Sequence, residues 1–134
     1  HRRAVHHQQI DRLDSLEDVL SVVKTVDHPS RRMCVDVFKA YSTETALGDA
    51  IRPCGGVIVN VHASDIEHLD SAFHRRRRAV GDGKIDWQET LDALADVGYD
   101  GPVILEALRT DEEIELSVRR LGAMITKRDE LTLS

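Results

Sequence analysis

Three residues of metal-ligand type fall at or near the ends of three short β-prone runs. Asp36 lies in Met33–Phe38, His62 closes Val57–His62, and Glu106 closes Val103–Glu106. In parallel α/β folds the ligand site lies at the C-terminal ends of the strands. Neighbouring strands are about 4.8 Å apart, so three such side chains can converge on one ion. Two carboxylates and one imidazole suit Mn²⁺, Co²⁺, Zn²⁺ or Mg²⁺. Three ligands leave a further position for substrate or water. Each residue alone also has a plainer role. Asp36 suits a cap or turn, His62 a hydrogen-bonded structural position, and Glu106 a pair with Arg109. Recurrence at three equivalent positions favours the shared site.

Asp65 follows His62 closely and is expected to orient it, because a ligating His usually donates its other N–H to a carboxylate or carbonyl. His68 and His74 are spare ligand candidates. The run Arg75–Arg78 reads as a solvated charge cluster, a phosphate clamp or a nucleic-acid contact. Gly81-Asp82-Gly83 matches no Walker motif. Cys34 has no basic neighbour in sequence and reads as a buried small hydrophobe.

The elements that must position these residues follow from periodicity. Residues 1–14 show no period and are expected to form an irregular arm. Ser15 and Asp18 resemble a capping box, followed by helical spacing of Leu16, Val19, Leu20, Val23 and Val26. That helix should stop near His28-Pro29. Thr43 is expected to cap a second helix that Gly55-Gly56 breaks. Residues 63–85 are expected to be an irregular, mobile loop over the strand ends. Asp86 caps a third helix carrying Trp87, Leu91, Leu94 and Val97, with Gly98 as terminator. Thr110 and Glu113 cap a last helix to about residue 127, with Ile114, Val118, Leu121 and Ile125 on its buried side. Strands alternating with helices imply parallel βαβ units. An open doubly wound sheet and a slice of a β/α barrel both fit that order.

Composition bounds the function. The chain has 134 residues and a net charge of −6, which argues against a general nucleic-acid binder. No apolar run approaches the roughly 18–20 residues of a membrane helix. Two cysteines make no disulfide framework, and the first ten residues show no secretory leader, so a cytoplasmic setting is expected. The chain begins with His, and its length is about half of the roughly 250 residues of a (β/α)₈ barrel. A fragment of a longer protein is therefore expected.

VHASD, a polar loop, and then GDGKIDWQETLDALADVGYDGPVILEAL resemble the sugar phosphate isomerase/epimerase family of xylose isomerase-like TIM barrels. SLEDVLSVVKTVDHPSRRMCVDVF is similar to that family's helix, D-H-P turn and Asp-ending strand. The resemblance runs from about residue 15 to 127. It implies an α/β fold: a partial (β/α)₈ barrel, roughly the C-terminal half, as one domain over 15–134. It implies Asp36, His62 and Glu106 as metal ligands, with Glu106 also the proton-transfer base. It implies a substrate-contacting Arg in the polar loop, one of Arg75 to Arg78, with Arg75 and Arg76 put forward first. Lys39 stands where the family has a His, and is expected to bond substrate rather than metal. The family's other ligand Glu lies on a strand upstream of Ser15, and residues 1–10 contain neither Glu nor Asp.

The function implied is that of a metal-dependent sugar or sugar phosphate isomerase/epimerase. Its chemistry would be enediolate proton transfer, and this chain alone would be an incomplete catalyst. Two alternatives are a non-catalytic half-barrel that forms a homodimer or binds a partner, and an endonuclease IV-like DNA repair fold. No membrane partner is expected.

Overall fold

The structure is a computed structural model that describes residues 4–6, 15–25, 32–43, 46–68 and 75–133. Four strands form one parallel sheet: β1 (Ala4–His6), β2 (Arg32–Asp36), β3 (Ile58–Ala63) and β6 (Val103–Leu105), in the spatial order β1-β2-β3-β6. Helix α1 (Leu16–Thr25) joins β1 to β2. Helices α2 (Val37–Thr43) and α3 (Leu47–Ile51) join β2 to β3. A hairpin, β4 (Asp65–His68) and β5 (Arg75–Arg78), and helix α4 (Trp87–Asp96) join β3 to β6. Helix α5 (Asp111–Leu133) follows β6.

Local chemistry accounts for the helix ends. Ser15 Oγ accepts from Asp18 N at 3.1 Å and starts α1. Asp86 Oδ1 accepts from Glu89 N at 3.0 Å and starts α4. Gly98, at φ 75°, ends α4 with a Schellman motif: Tyr99 N bonds Leu94 O and Gly98 N bonds Ala95 O. Thr110 Oγ1 accepts from Glu113 N at 3.1 Å and starts α5. One sheet face packs on these helices. Val35, Val61 and Ala63 are buried there in one core with Val19, Val23, Ile51, Leu91 and Leu94.

Five expectations are corrected. The stretch 1–14 is not wholly irregular, because Ala4–His6 pairs with β2. A three-residue strand has no readable period, and only its neighbour specifies it. The second strand stops at Asp36, whose carboxylate caps the helix that begins at Val37. Thr43 therefore ends α2, and the residue before α3 is Ala46, which has no side chain to cap with. Residues 63–85 are not irregular throughout: β4 and β5 pair antiparallel, with Glu67 directly opposite Arg76. Residues 69–74, including His74, lie outside the described residues. Finally, α5 does not bury its apolar stripe. Leu121 and Ser117 are buried, while Ile114, Val118 and Ile125 are 40%, 58% and 44% exposed.

Among the described residues, no helix is long and apolar enough to cross a membrane.

Candidate metal centre

Register places the ligand candidates. Asp36 pairs with His62 across β2 and β3, and His62 pairs with Ile104 across β3 and β6. Residues aligned in a parallel ladder share a face, and Glu106 lies two positions beyond Ile104. All three candidates therefore point to the face opposite the helices, at the C-terminal ends of the strands. One ligand atom from each of Asp36, His62 and Glu106 lies within 4.8 Å of the other two. His62 Nδ1 is 3.1 Å from Glu106 Oε2. Glu106 N donates to Ala63 O at 3.1 Å, which extends the β3–β6 ladder to the candidate ligand itself. Ala107, directly after it, holds a left-handed φ of 57°. That conformation is unfavourable for a residue with a Cβ and sits at the exit of the site.

Asp36 is fully buried. Burial pushes its carboxyl above the usual carboxylate range. The Lys39 N–H bond and the Arg77 charge oppose that push, and the Glu106 carboxyl, hydrogen-bonded to it, adds to it. Two adjacent carboxylates, one of them dry, beside an imidazole form a donor set that fits a divalent cation. The ion would neutralise the repulsion and supply the charge that burial otherwise disfavours.

Arg77 is the basic residue that reaches this group. Its Nη1 donates to the buried Ser64 Oγ at 2.8 Å, and its Nη2 is 3.9 Å from Asp36 Oδ2. Its guanidinium lies 4.2 Å over the Phe38 ring centroid. Arg76, expected at the substrate, instead pairs with Glu67 at 2.8 Å, where Arg78 also points. Strand alternation explains the difference: 76 and 78 share one face of β5, and 77 points to the other. Arg75 is placed only by register, opposite His68. Alternation along the run is the signal that separates 77 from 76 and 78. Lys39 joins the site through its backbone N–H, which donates to Asp36 Oδ1 at 3.0 Å.

Asp65 does not orient His62. Its Oδ1 accepts from Ile66 N and Ile85 N, and its Oδ2 from Gly81 N and Trp87 Nε1, all at 2.9–3.0 Å. The G-x-G-x-I-D-W stretch is therefore a clamp closed around one buried carboxylate. A Cβ at Gly83 would stand 2.3 Å from Ile66 O and 2.5 Å from Asp65 Oδ1, so only glycine fits. Cys34 is buried, its thiol pushed up by burial, and accepts a long contact of 3.7 Å from Asn60 Nδ2.

Comparison with known proteins identifies the family and the fold. The family model described as xylose isomerase-like TIM barrel matches residues 4–125. A D-psicose 3-epimerase of Ruminiclostridium cellulolyticum is 31% identical over 94 residues, covering 70% of this chain and 29% of its own. The solved structure of a D-psicose 3-epimerase in the presence of D-fructose is 27% identical with a TM-score of 0.62, covering 80% of this chain and 34% of that one. An IolI protein solved with a zinc atom is 22% identical with a TM-score of 0.73, covering 92% of this chain and 47% of that one, and shows a shared fold. The chain thus spans less than half the length of these relatives. It carries four parallel strands of a barrel and no closed barrel among the described residues. The family match takes in the whole sheet, from β1 to β6, and the chain belongs to the xylose isomerase-like TIM barrel family, whose members include the sugar epimerases it resembles.

Proposed function

We propose that this chain holds one divalent metal ion between Asp36, His62 and Glu106, and forms the metal-bearing half of a sugar isomerase/epimerase active site. The observation that carries the reading is the convergence of three ligand atoms within 4.8 Å from three different strand ends. Zinc in a related fold and epimerase activity in the relatives support it. When bound, a divalent ion supplies Lewis-acid polarisation of a sugar carbonyl.

The chain's own residues supply the rest. Glu106 is the base that takes a proton from the carbon beside the carbonyl and returns it. Asp36 stays fixed by the Lys39 N–H and by Arg77, so the ligand oxygen is held in place before substrate arrives. Arg77, half-buried over Phe38, has spare N–H donors for a sugar hydroxyl or a phosphate oxygen. Epimerisation also needs a second acid or base on the other face of the substrate. Glu106 is the one carboxylate we assign to proton transfer among the described residues, and on this reading the chain alone is an incomplete catalyst. The pairing of Arg76 and Arg78 with Glu67 leaves less free positive charge for gripping a nucleic-acid backbone, which favours a sugar over DNA.

Calorimetric titration with Mn²⁺, Co²⁺ and Zn²⁺ tests the site. One ion per chain is expected for the wild type. His62→Ala and Asp36→Asn should each weaken binding by about 10–100-fold, as loss of a ligand or of its support does. Equal binding by wild type and both variants would remove these residues from the site. An assay on free and phosphorylated ketohexoses, with the metal present, then tests the chemistry.

A further inference from the structure

Arg77 takes its place from the residues that flank two of the candidate ligands. Phe38 lies two positions after Asp36, and Ser64 lies two positions after His62. Arg77 Nη1 donates to Ser64 Oγ at 2.8 Å, and its guanidinium carbon lies 4.2 Å over the Phe38 ring centroid. With those two holds made, Nη2 stands 3.9 Å from Asp36 Oδ2. The other oxygen, Asp36 Oδ1, accepts from Lys39 N at 3.0 Å. Asp36 and Ser64 are both fully buried, so a full positive charge is set against a dry carboxylate. All of these contacts lie within residues 36–77.

The arginine run does not crowd Asp36 with charge. Arg76 and Arg78 turn to Glu67, and Arg77 is directed to Asp36. Fixing Asp36 in place needs no full charge, because the Lys39 N–H already holds one oxygen and a neutral amide could hold the other. A guanidinium does something an amide does not. Before an ion is bound, it supplies the positive charge that a buried carboxylate requires. Toward a divalent ion on the same carboxylate, it is repulsive. Arginine stays protonated, so it cannot escape that repulsion by losing its charge.

We propose that Arg77 is the resident counter-cation of Asp36, gives that carboxylate up when a divalent ion binds, and holds the metal affinity below what the three candidate ligands alone would give. The proposal rests on the reading of Asp36, His62 and Glu106 as a metal centre. On giving up Asp36, Arg77 keeps Ser64 and Phe38. Its Nη2 N–H groups then pass to an oxygen of the substrate, so metal binding precedes substrate binding.

The expected size follows from the field of one charge. A positive charge within about 4–6 Å of a carboxylate changes its proton affinity by roughly 10–1,000-fold. A metal ion competing for that carboxylate meets the same field with the same sign. Arg77 is only partly buried, so solvent screening places the effect at the low end.

Calorimetric titration of Mn²⁺ and Zn²⁺ into the wild type, Arg77→Gln and Arg77→Lys tests it, at mildly alkaline pH to keep proton competition for Asp36 small. Arg77→Gln should bind about tenfold more tightly than the wild type. Arg77→Lys, which keeps the charge, should bind much as the wild type does. Added salt should narrow the gap between Arg77→Gln and the wild type. Nuclear magnetic resonance follows the guanidinium directly. The Nε–H signal of Arg77, identified by its loss in Arg77→Lys, should shift when the wild type is saturated with Zn²⁺. A wild type that binds the ion, with Arg77→Gln binding equally or more weakly, would overturn the proposal and leave Arg77 as a prop for Asp36. Equal tightening by Gln and Lys would assign the effect to shape instead of charge, and would also overturn it. No binding by any of the three chains would overturn the metal reading itself, and this proposal with it. If circular dichroism shows Arg77→Gln unfolded, the wild-type spectrum decides, and an Nε–H signal unmoved at Zn²⁺ saturation would overturn the proposal.

Discussion

The indole Nε1 of Trp87 donates to Asp65 Oδ2 at 2.9 Å, tying the start of α4 to the strand that follows the His62 position. Three backbone N–H groups converge on the same carboxylate, and Asp65 is fully buried. Removing it leaves four donors without an acceptor in a dry site. Asp65→Ala should therefore destabilise the chain by about 3–5 kcal/mol, the cost of breaking a buried charged network from one side. Asp65→Asn keeps one accepting oxygen, leaves at least one donor facing its NH₂, and should cost less than the alanine. Urea unfolding of both variants checks the order; a loss below about 1 kcal/mol for the alanine would show that water replaces the carboxylate.

Gly83 lies within the same clamp. Its added Cβ meets a backbone oxygen and the Asp65 carboxylate, neither of which can swing away. Gly83→Ala should cost about 1–3 kcal/mol, the range for forcing atoms into a filled site. Gly48→Ala is the control. There the added methyl meets side-chain atoms alone: Glu89 Oε1 at 2.8 Å, Arg52 Nη1 at 2.9 Å and Glu89 Cγ at 3.1 Å. Thermal unfolding should separate the two clearly, with Gly48→Ala much the milder.

The sequence made the site legible because its signal is chemical. An acid, a histidine and an acid recur at the ends of apolar runs, and strand neighbours bring them together whatever the details. Capping was legible for the same reason at Ser15, Asp86 and Thr110, where a side-chain oxygen stands three residues before the N–H it accepts from. What escaped notice depends on tertiary pairing. Ala4–His6 is a strand only because β2 lies beside it. The arginine run looked uniform until pairing with Glu67 and Ser64 divided it between two faces. Asp65 reads in sequence as an orienting acid, and three of its four donors lie 16 to 22 residues downstream. The apolar stripe of α5 was legible as a stripe, but periodicity reports that a face is apolar and not what covers it.

Ala107 follows Glu106 with a left-handed φ of 57°. Ala tolerates that region at a cost of roughly 1–2 kcal/mol, and a β-branched side chain tolerates it less. Ala107→Val should lower the melting temperature, and it should also weaken the proposed metal binding by shifting the Glu106 carboxylate. Ala107→Gly relieves the strain but frees the unfolded chain, so its stability should stay within about 1 kcal/mol of the wild type. If valine were as stable as glycine, the left-handed turn would not be a constraint on the site.

Tyr99 gives a pH dependence with a defined sign. Burial is the main reason its phenol is pushed up to about 12, and charge on Cys34 and Asp100 adds to it. Its hydroxyl donates to Pro102 O, a bond that the phenolate cannot make. The folded chain therefore holds this proton more tightly than the unfolded chain, whose phenol titrates near 10. The resulting stability is fully present below pH 10 and is lost as pH rises from there through about 12. Tyr99 also lies where α4 ends and β6 begins, so loss of this bond should loosen the turn that feeds the Glu106 strand. Spectrophotometric titration of phenolate absorbance should show a phase centred near 12 that disappears in Tyr99→Phe. The same variant should show a flatter fall of stability over that pH window than the wild type. A wild-type titration complete by about pH 10.5, within the ordinary range for tyrosine, would mean that this hydroxyl is open to water and that the turn is not held as described.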